Sequence, residues 1–393
     1  MIKRVALFAL LPLSFPFLFS CAAHKTAKLH KEAIVVDTHN DFISKAVEKG
    51  FVFDANNLGK THSDLARMKK GGLDVQIFSI WCDARPDAYA FANREIDSLY
   101  AYVARNPSRM KLVTNGAELD EAIKNKQLAS MIGVEGGHMI EDDLSKLEAL
   151  AKRGARYMTL TWNNSTSWAS SAADEYNNKI PEDKRGLTDF GVQVIEKMNE
   201  LGVMVDLSHV GEKTFLDAIA TTTKPVIVSH SCVHALCPVA RNLKDYQISA
   251  IKLNKGVICL NFFSGFLDSS FNRKNTTFMA KRKAEADSMR NAGLQQFFIE
   301  DHLYEKYKSE TEALRVPMNV LLDHIDYIVK RIGVDHVGLG SDFDGINSAP
   351  QQLNGVQDFP KITAALKKRG YSNEDIKKIL GGNVIRVFKA NLN

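Results

Sequence analysis

"AIVVDTHND", residues 33–41, starts as an apolar, β-branched run and ends in Asp37, Thr38, His39, Asn40 and Asp41. Its first half reads as a strand buried on both faces. Its second half puts a histidine and two carboxylates where a dry strand should stop. Working outward, seven more continuous apolar runs follow: "LDVQIFSIW" (73–81), "LASMIGVEG" (128–136), "ARYMTLTW" (155–162), "GVMVDLSH" (202–209), "KPVIVSH" (224–230), "GVICLNF" (256–262) and "DHVGLGSD" (335–342). Amphipathic segments such as 143–154, 189–202 and 316–333 lie between them, with Gly154, Gly202 and Gly333 where a helix terminator belongs. Strands alternating with helices predict an α/β chain folded as a (β/α)8 TIM-type barrel. A doubly wound open sheet is the competitor. It is weakened by the lack of a glycine-rich phosphate turn after the first run.

The polar ends recur. His39 and Asp41 close the first run, Glu135 the third, His209 the fifth, His230 the sixth, and Asp342 and Asp344 the eighth. In a parallel barrel all carboxyl ends of the strands share one mouth, so these residues are expected to converge there. Any one of them has an ordinary structural reading. Together they would each need a separate partner, because buried charge is costly unless paired or metal-bound. Imidazole with carboxylate and no thiolate suits zinc, and admits manganese, cobalt or iron. The set exceeds the three protein ligands of a single catalytic zinc. It suits two ions sharing a carboxylate. His39 and Asp41 are assigned to one ion, His209 and His230 to the other, and Glu135 to the bridge.

The motifs "VVDTHND", "GVEGGH", "RYMTLTW", "DLSHVG", "VSHS", the "RN" at 241–242, "GLGSDFDG" and "GGNVIRVF" together resemble the membrane (renal) dipeptidase family, metallopeptidases of the amidohydrolase superfamily. The resemblance spans about 32–392. It implies a binuclear zinc enzyme that hydrolyses dipeptides with a free C-terminal carboxylate, often with a D-residue there, by means of a metal-bridging hydroxide. Asp342 then resembles the family's acid/base carboxylate, and Arg241 the arginine that holds the substrate carboxylate. Dimers are common in the family, so a homodimer is a possible assembly.

Two departures stand out. Trp162 occupies the place of a family histidine thought to contact the substrate carbonyl. An indole N–H can donate one hydrogen bond but carries no charge. Oxyanion stabilisation then shifts toward the metal or Asn163. The second departure is a charged insertion at about 264–315, in which two stretches read as helices and to which no chemistry is assigned. Two alternatives stay open. One is a related amidohydrolase acting on a lactone, cyclic imide or N-acyl amino acid. The other is a noncatalytic lipoprotein that binds metal or peptide.

Lys3 and Arg4 precede an apolar stretch, Val5 to Phe19, interrupted by Pro12 and Pro16. It is shorter than the ~20 residues of a spanning helix and fits a signal peptide. Leu18-Phe19-Ser20-Cys21 resembles a bacterial lipobox. The expectation is a leader over 1–20, lipidated Cys21, a tether over 21–30 and one hydrolase domain over 31–393. That places the protein in the bacterial cell envelope, lipid-anchored to a membrane. Ala22 gives no inner-membrane retention signal, so the outer membrane is expected. Cys82, Cys232, Cys237 and Cys259 remain, with no C-x-x-C, and their spacing does not decide any pairing. The 393 residues are 45% hydrophobic and carry a net charge of +5 without a long basic block, so no nucleic-acid partner is expected.

Overall fold

The computed structural model describes residues 15–294 and 296–392. Nine strands are present among them: β1 (Val36–Asp37), β2 (Val75–Ile80), β3 (Met110–Leu112), β4 (Leu128–Glu135), β5 (Ala155–Thr159), β6 (Met204–Asp206), β7 (Ile227–Ser231), β8 (Val257–Leu260) and β9 (Val337–Leu339). They pair in parallel in the order β1-β2-β4-β5-β6-β7-β8-β9, and β3 pairs with β4 off this path. The eight on the path are the eight apolar runs, and they form the (β/α)8 barrel expected from them. The short β3 was not anticipated, because three residues around Lys111 carry no strand-like pattern.

The barrel closes between its first and last strands. Thr38 N donates to Leu339 O at 3.1 Å, Asp342 N to His39 O at 3.1 Å, and Asp41 N to Phe343 O at 2.9 Å. Asp37 locks this seam. One of its oxygens accepts from Ser341 N at 2.7 Å and the other from Ser341 Oγ at 2.6 Å. Asp37 therefore supports the loop beside the ligands.

Strand alternation sorts the side chains. Val36, Val75, Ile77, Ala129, Met131, Tyr157, Met204, Ile227 and Val257 form an apolar cluster inside the barrel, closed by Val387 and Phe388 of helix Asn383–Asn391. A second, larger cluster lies between the strands and the surrounding helices. The period of two carries Ala129 and Met131 on to Gly133 and then to Glu135, so Glu135 faces the interior. Gly133 is required there: a Cβ would lie 2.0 Å from the Tyr157 ring. Its absence lets Tyr157 cross the barrel toward His39.

At the amino-terminal side, helix Phe15–Glu32 leads into β1. Leu29 and His30 are already buried; His30 Nδ1 lies 2.7 Å from Thr363 Oγ1, and Nε2 lies 2.8 Å from Gly71 O. Part of the segment read as a tether thus packs on the domain. The proposed leader up to Ser14 lies outside the described residues, as does the side chain of Cys21. Among the described residues no helix is long and apolar enough to cross a membrane. The four later cysteines are all buried and free.

Candidate active site

Glu135 stands at the centre of the barrel mouth. Its Oε2 is 3.2 Å from His39 Nε2. Its Oε1 is 3.0 Å from His209 Nε2 and 3.4 Å from His230 Nε2. Each carboxylate oxygen therefore faces the histidine group assigned to one of two ions. Asp41 Oδ2 lies 3.6 Å from His39 Nε2 and is buried without a hydrogen-bond donor. His39, Asp41 and Asp342 have ligand atoms within 4.8 Å of one another, as do His39, Glu135 and His230. All five expected ligands and Asp342 are brought together.

Two of the histidines sit out of step with their strands. Met204 and Asp206 point inward on β6, so His209 would point outward in a regular strand. A left-handed backbone at His209, φ 65°, turns it back into the mouth. On β7 the register slips between Val228 and Ser231, and this irregularity re-aims His230. Asp342 also has positive φ, 59°. Such conformations cost energy in non-glycine residues and concentrate at functional sites.

The outward nitrogen of every histidine is held. Tyr157 Oη donates to Thr38 O at 3.1 Å, so it accepts from His39 Nδ1 at 2.8 Å. Ser229 Oγ donates to Asp206 Oδ2 at 2.6 Å and accepts from His230 Nδ1 at 2.8 Å. Asn163 Oδ1 accepts from His209 Nδ1 at 3.1 Å. With Nδ1 protonated, each Nε2 presents a lone pair to Glu135. Lone pairs crowded against a carboxylate need a cation between them. This donor set, with its held tautomers and the unpartnered Asp41 oxygen, fits metal ions. The carboxylates favour positive charge at this point: burial disfavours a charged His39, yet Glu135 and Asp41 lift its pKa to about 10, so a proton holds Nε2 against Glu135 where a metal ion would otherwise sit. His209, by burial and then by Arg241, falls to about 4.

Asp342 is held at the mouth by its neighbours. Asn261 Nδ2 donates to its Oδ2 at 2.7 Å, and Asn261 is itself fixed by Phe263 N at 2.6 Å. Burial and then Glu135 raise the Asp342 pKa against the opposing pull of His39. Asp344 is used differently: its oxygens accept from His62 N at 2.7 Å and Ser63 Oγ at 2.5 Å. It holds the neighbouring loop.

Arg241 Nη2 donates to His230 O at 3.1 Å, its guanidinium lies 5.3 Å from the Phe266 ring centre, and Nε is buried without a partner. A cavity of about 270 Å³ opens over the cluster. Arg241, Trp162 and Asn163 all line it. Trp162 packs edge-on against Trp81, with ring centres 5.0 Å apart. Asn163, expected to touch substrate, also orients His209. Asn261, Tyr157, Ser229 and Trp81 are functional neighbours that the sequence reading missed.

The membrane dipeptidase (peptidase family M19) model matches residues 23–392. The chain belongs to that family. An uncharacterised dipeptidase of Schizosaccharomyces pombe is 31% identical over 388 residues, which cover 94% of this chain and 83% of the relative. The probable dipeptidase PvdM of Pseudomonas aeruginosa has TM-score 0.79 at 24% identity, covering 95% of this chain and 98% of that one. A metallopeptidase of Rhodobacter sphaeroides, solved with a phosphinate mimic of the dipeptide L-Ala-D-Ala, has TM-score 0.72 at 24% identity, covering 92% and 100%. This M19 member is a metal-dependent dipeptidase on an α/β barrel.

Proposed function

We propose that the chain is a binuclear zinc dipeptidase acting on dipeptides with a free C-terminal carboxylate, including those with a D-residue at that end. The observation that carries this reading is the convergence of three histidine Nε2 atoms on the two oxygens of Glu135. His39 and Asp41 would hold one ion, His209 and His230 the other, and Glu135 both. When bound, the ions supply Lewis acidity and lower the pKa of a shared water toward ~7, which makes hydroxide available as nucleophile.

The chain's own residues do the rest. Arg241 has a buried unpartnered Nε and receives the substrate carboxylate, which sets the scissile bond one residue away. Asp342 accepts the proton of the attacking water and returns it to the leaving amine. Trp81 and Trp162 wall one side of the cavity and keep water out. The free-carboxylate requirement separates this reading from an amidohydrolase acting on lactones, imides or N-acyl amino acids. The L-Ala-D-Ala mimic bound by the Rhodobacter relative supports a D-residue at the C-terminal position.

The test is turnover of L-L, L-D and Gly-X dipeptides by zinc-reconstituted protein, against the same peptides as C-terminal amides, with a chelator control. Hydrolysis of free dipeptides alone is expected. Equal turnover of the amides refutes the arginine clamp. Two zinc ions per chain with no hydrolysis would instead mean a binding protein. A lipid on Cys21 would place the catalytic barrel at the surface of an envelope membrane.

A further inference from the structure

The insertion reaches the cavity. It folds as helices Ser264–Leu267, Ser269–Lys281, Lys283–Asn291, Gln296–Lys306 and Lys308–Glu312. Phe266 of the first helix, and Phe298 and Glu300 of the fourth, line the same cavity as Glu135, Arg241 and Asp342. The fourth helix is pinned to the barrel by Lys49, whose ammonium lies 3.6 Å from Asp301 Oδ2 and 4.9 Å from the centre of the Phe298 ring.

Helix Phe42–Lys49 gives the scale. Asp41 caps it at the metal cluster, and Asp41, Lys45, Glu48 and Lys49 follow one another along its cavity face. At 1.5 Å per residue, Glu48 stands about 10 Å of rise beyond Asp41 and Lys49 about 12 Å. A bound dipeptide carries its α-ammonium two bonds from the scissile carbonyl, far short of that rim. Only a long side chain on the amino-terminal residue spans the gap.

Charge then selects its end group. Lys45 faces Asp344 at 4.0 Å, and Lys49 has Asp301. Glu48 and Glu300 line the rim, and among the described residues neither has a cation within ion-pair distance; Glu300 accepts only from the Gln296 amide, at 2.7 Å. Burial and then Asp83 raise the pKa of Glu48, against the opposing pull of Lys49 and Arg85.

We infer that helix Gln296–Lys306 is the selectivity wall of the catalytic pocket: Phe298 packs on the aliphatic stem of a long amino-terminal side chain, and Glu300 with Glu48 receives its terminal cation. The preferred substrates are dipeptides beginning with lysine, ornithine or arginine. This rests on the dipeptidase reading above and adds the selectivity at its amino-terminal side.

The experiment compares kcat/KM for Lys-Ala, norleucyl-Ala and Ala-Ala in the zinc-loaded wild type, Glu48→Gln/Glu300→Gln and Phe298→Ala. Norleucine keeps most of the stem without the charge. The wild type is expected to prefer Lys-Ala over norleucyl-Ala by about 5-fold, the scale of a partly solvated ion pair. That ratio should fall toward one in the double variant, with Ala-Ala turnover unchanged. Phe298→Ala should lower both long substrates relative to Ala-Ala. Hydrolysis of Ala-Ala with equal use of lysine and norleucine overturns the inference and leaves the dipeptidase reading intact. Failure to hydrolyse any of the three overturns the dipeptidase reading itself.

Discussion

His209 Nε2 and His230 Nε2 stand 3.0 Å apart, although the Nδ1 of each is committed to its own acceptor, Asn163 for one and Ser229 for the other. Two imidazole lone pairs do not rest at that distance without a positive charge between them. A bound cation therefore contributes to folding stability as well as to chemistry. At a free zinc concentration 1,000 times its Kd, one such site adds about 4 kcal/mol. Chelator-stripped protein should unfold several degrees lower in calorimetry and recover on adding zinc. An unchanged midpoint would count against a metal site here.

Asp342→Asn separates chemistry from binding. Asparagine tolerates the left-handed backbone at this position, φ 59°, and can keep its contact with Asn261. Metal content and melting temperature should be retained. The value of kcat should fall by ~10²–10⁴, the usual worth of a general acid/base. Steady-state kinetics beside elemental analysis checks this; wild-type kcat in the variant would remove Asp342 from that role.

Arg241→Ala should act mainly on substrate recognition. Losing charged hydrogen bonds of about 1.5–3 kcal/mol corresponds to a ~10–150-fold drop in kcat/KM for free dipeptides. Dipeptide amides, already lacking the carboxylate, should show a smaller loss. A kinetic comparison of the two substrate types reads the difference, and equal losses would mean a purely structural arginine.

Asp74 gives a pH prediction away from the site. It is largely buried, accepts from Val35 N at 2.9 Å, and burial raises its pKa from 3.8 to about 6. A folded pKa above the unfolded one means the unfolded chain holds fewer protons between these values. This group's stabilisation is present below pH 3.8 and is lost as pH rises through about 6. Asp74→Asn keeps an acceptor for Val35 without the charge. Its stability relative to wild type, by urea unfolding, should therefore grow from pH 4 to pH 7. A constant difference would contradict the shift.

The barrel was readable because each of its eight strands is a continuous apolar run, the pattern of a sheet covered on both faces. The ligands were readable because each breaks that pattern at the same end. Only metal-competent residues were counted there, however. The same rule applied to any polar or amphipathic strand end would have reached Trp81 after β2 and Asn261 after β8. Tyr157 was hidden for a different reason: its hydroxyl reaches His39 only because Gly133, on another strand, leaves the space. Phe298 and Glu300 could not be placed, since a helix inside an insertion gives no hint of which wall it meets.

The seam made by Asp37 and Ser341 sets an order of events. His39 and Asp41 come from the first strand, Asp342 from just past the last, and they meet only when that seam closes. Every residue proposed to hold metal lies between His39 and His230. Asp342 joins them only after nearly the whole polypeptide has been made and the seam has closed. Closure of the barrel is therefore the step that completes the set of residues needed for turnover.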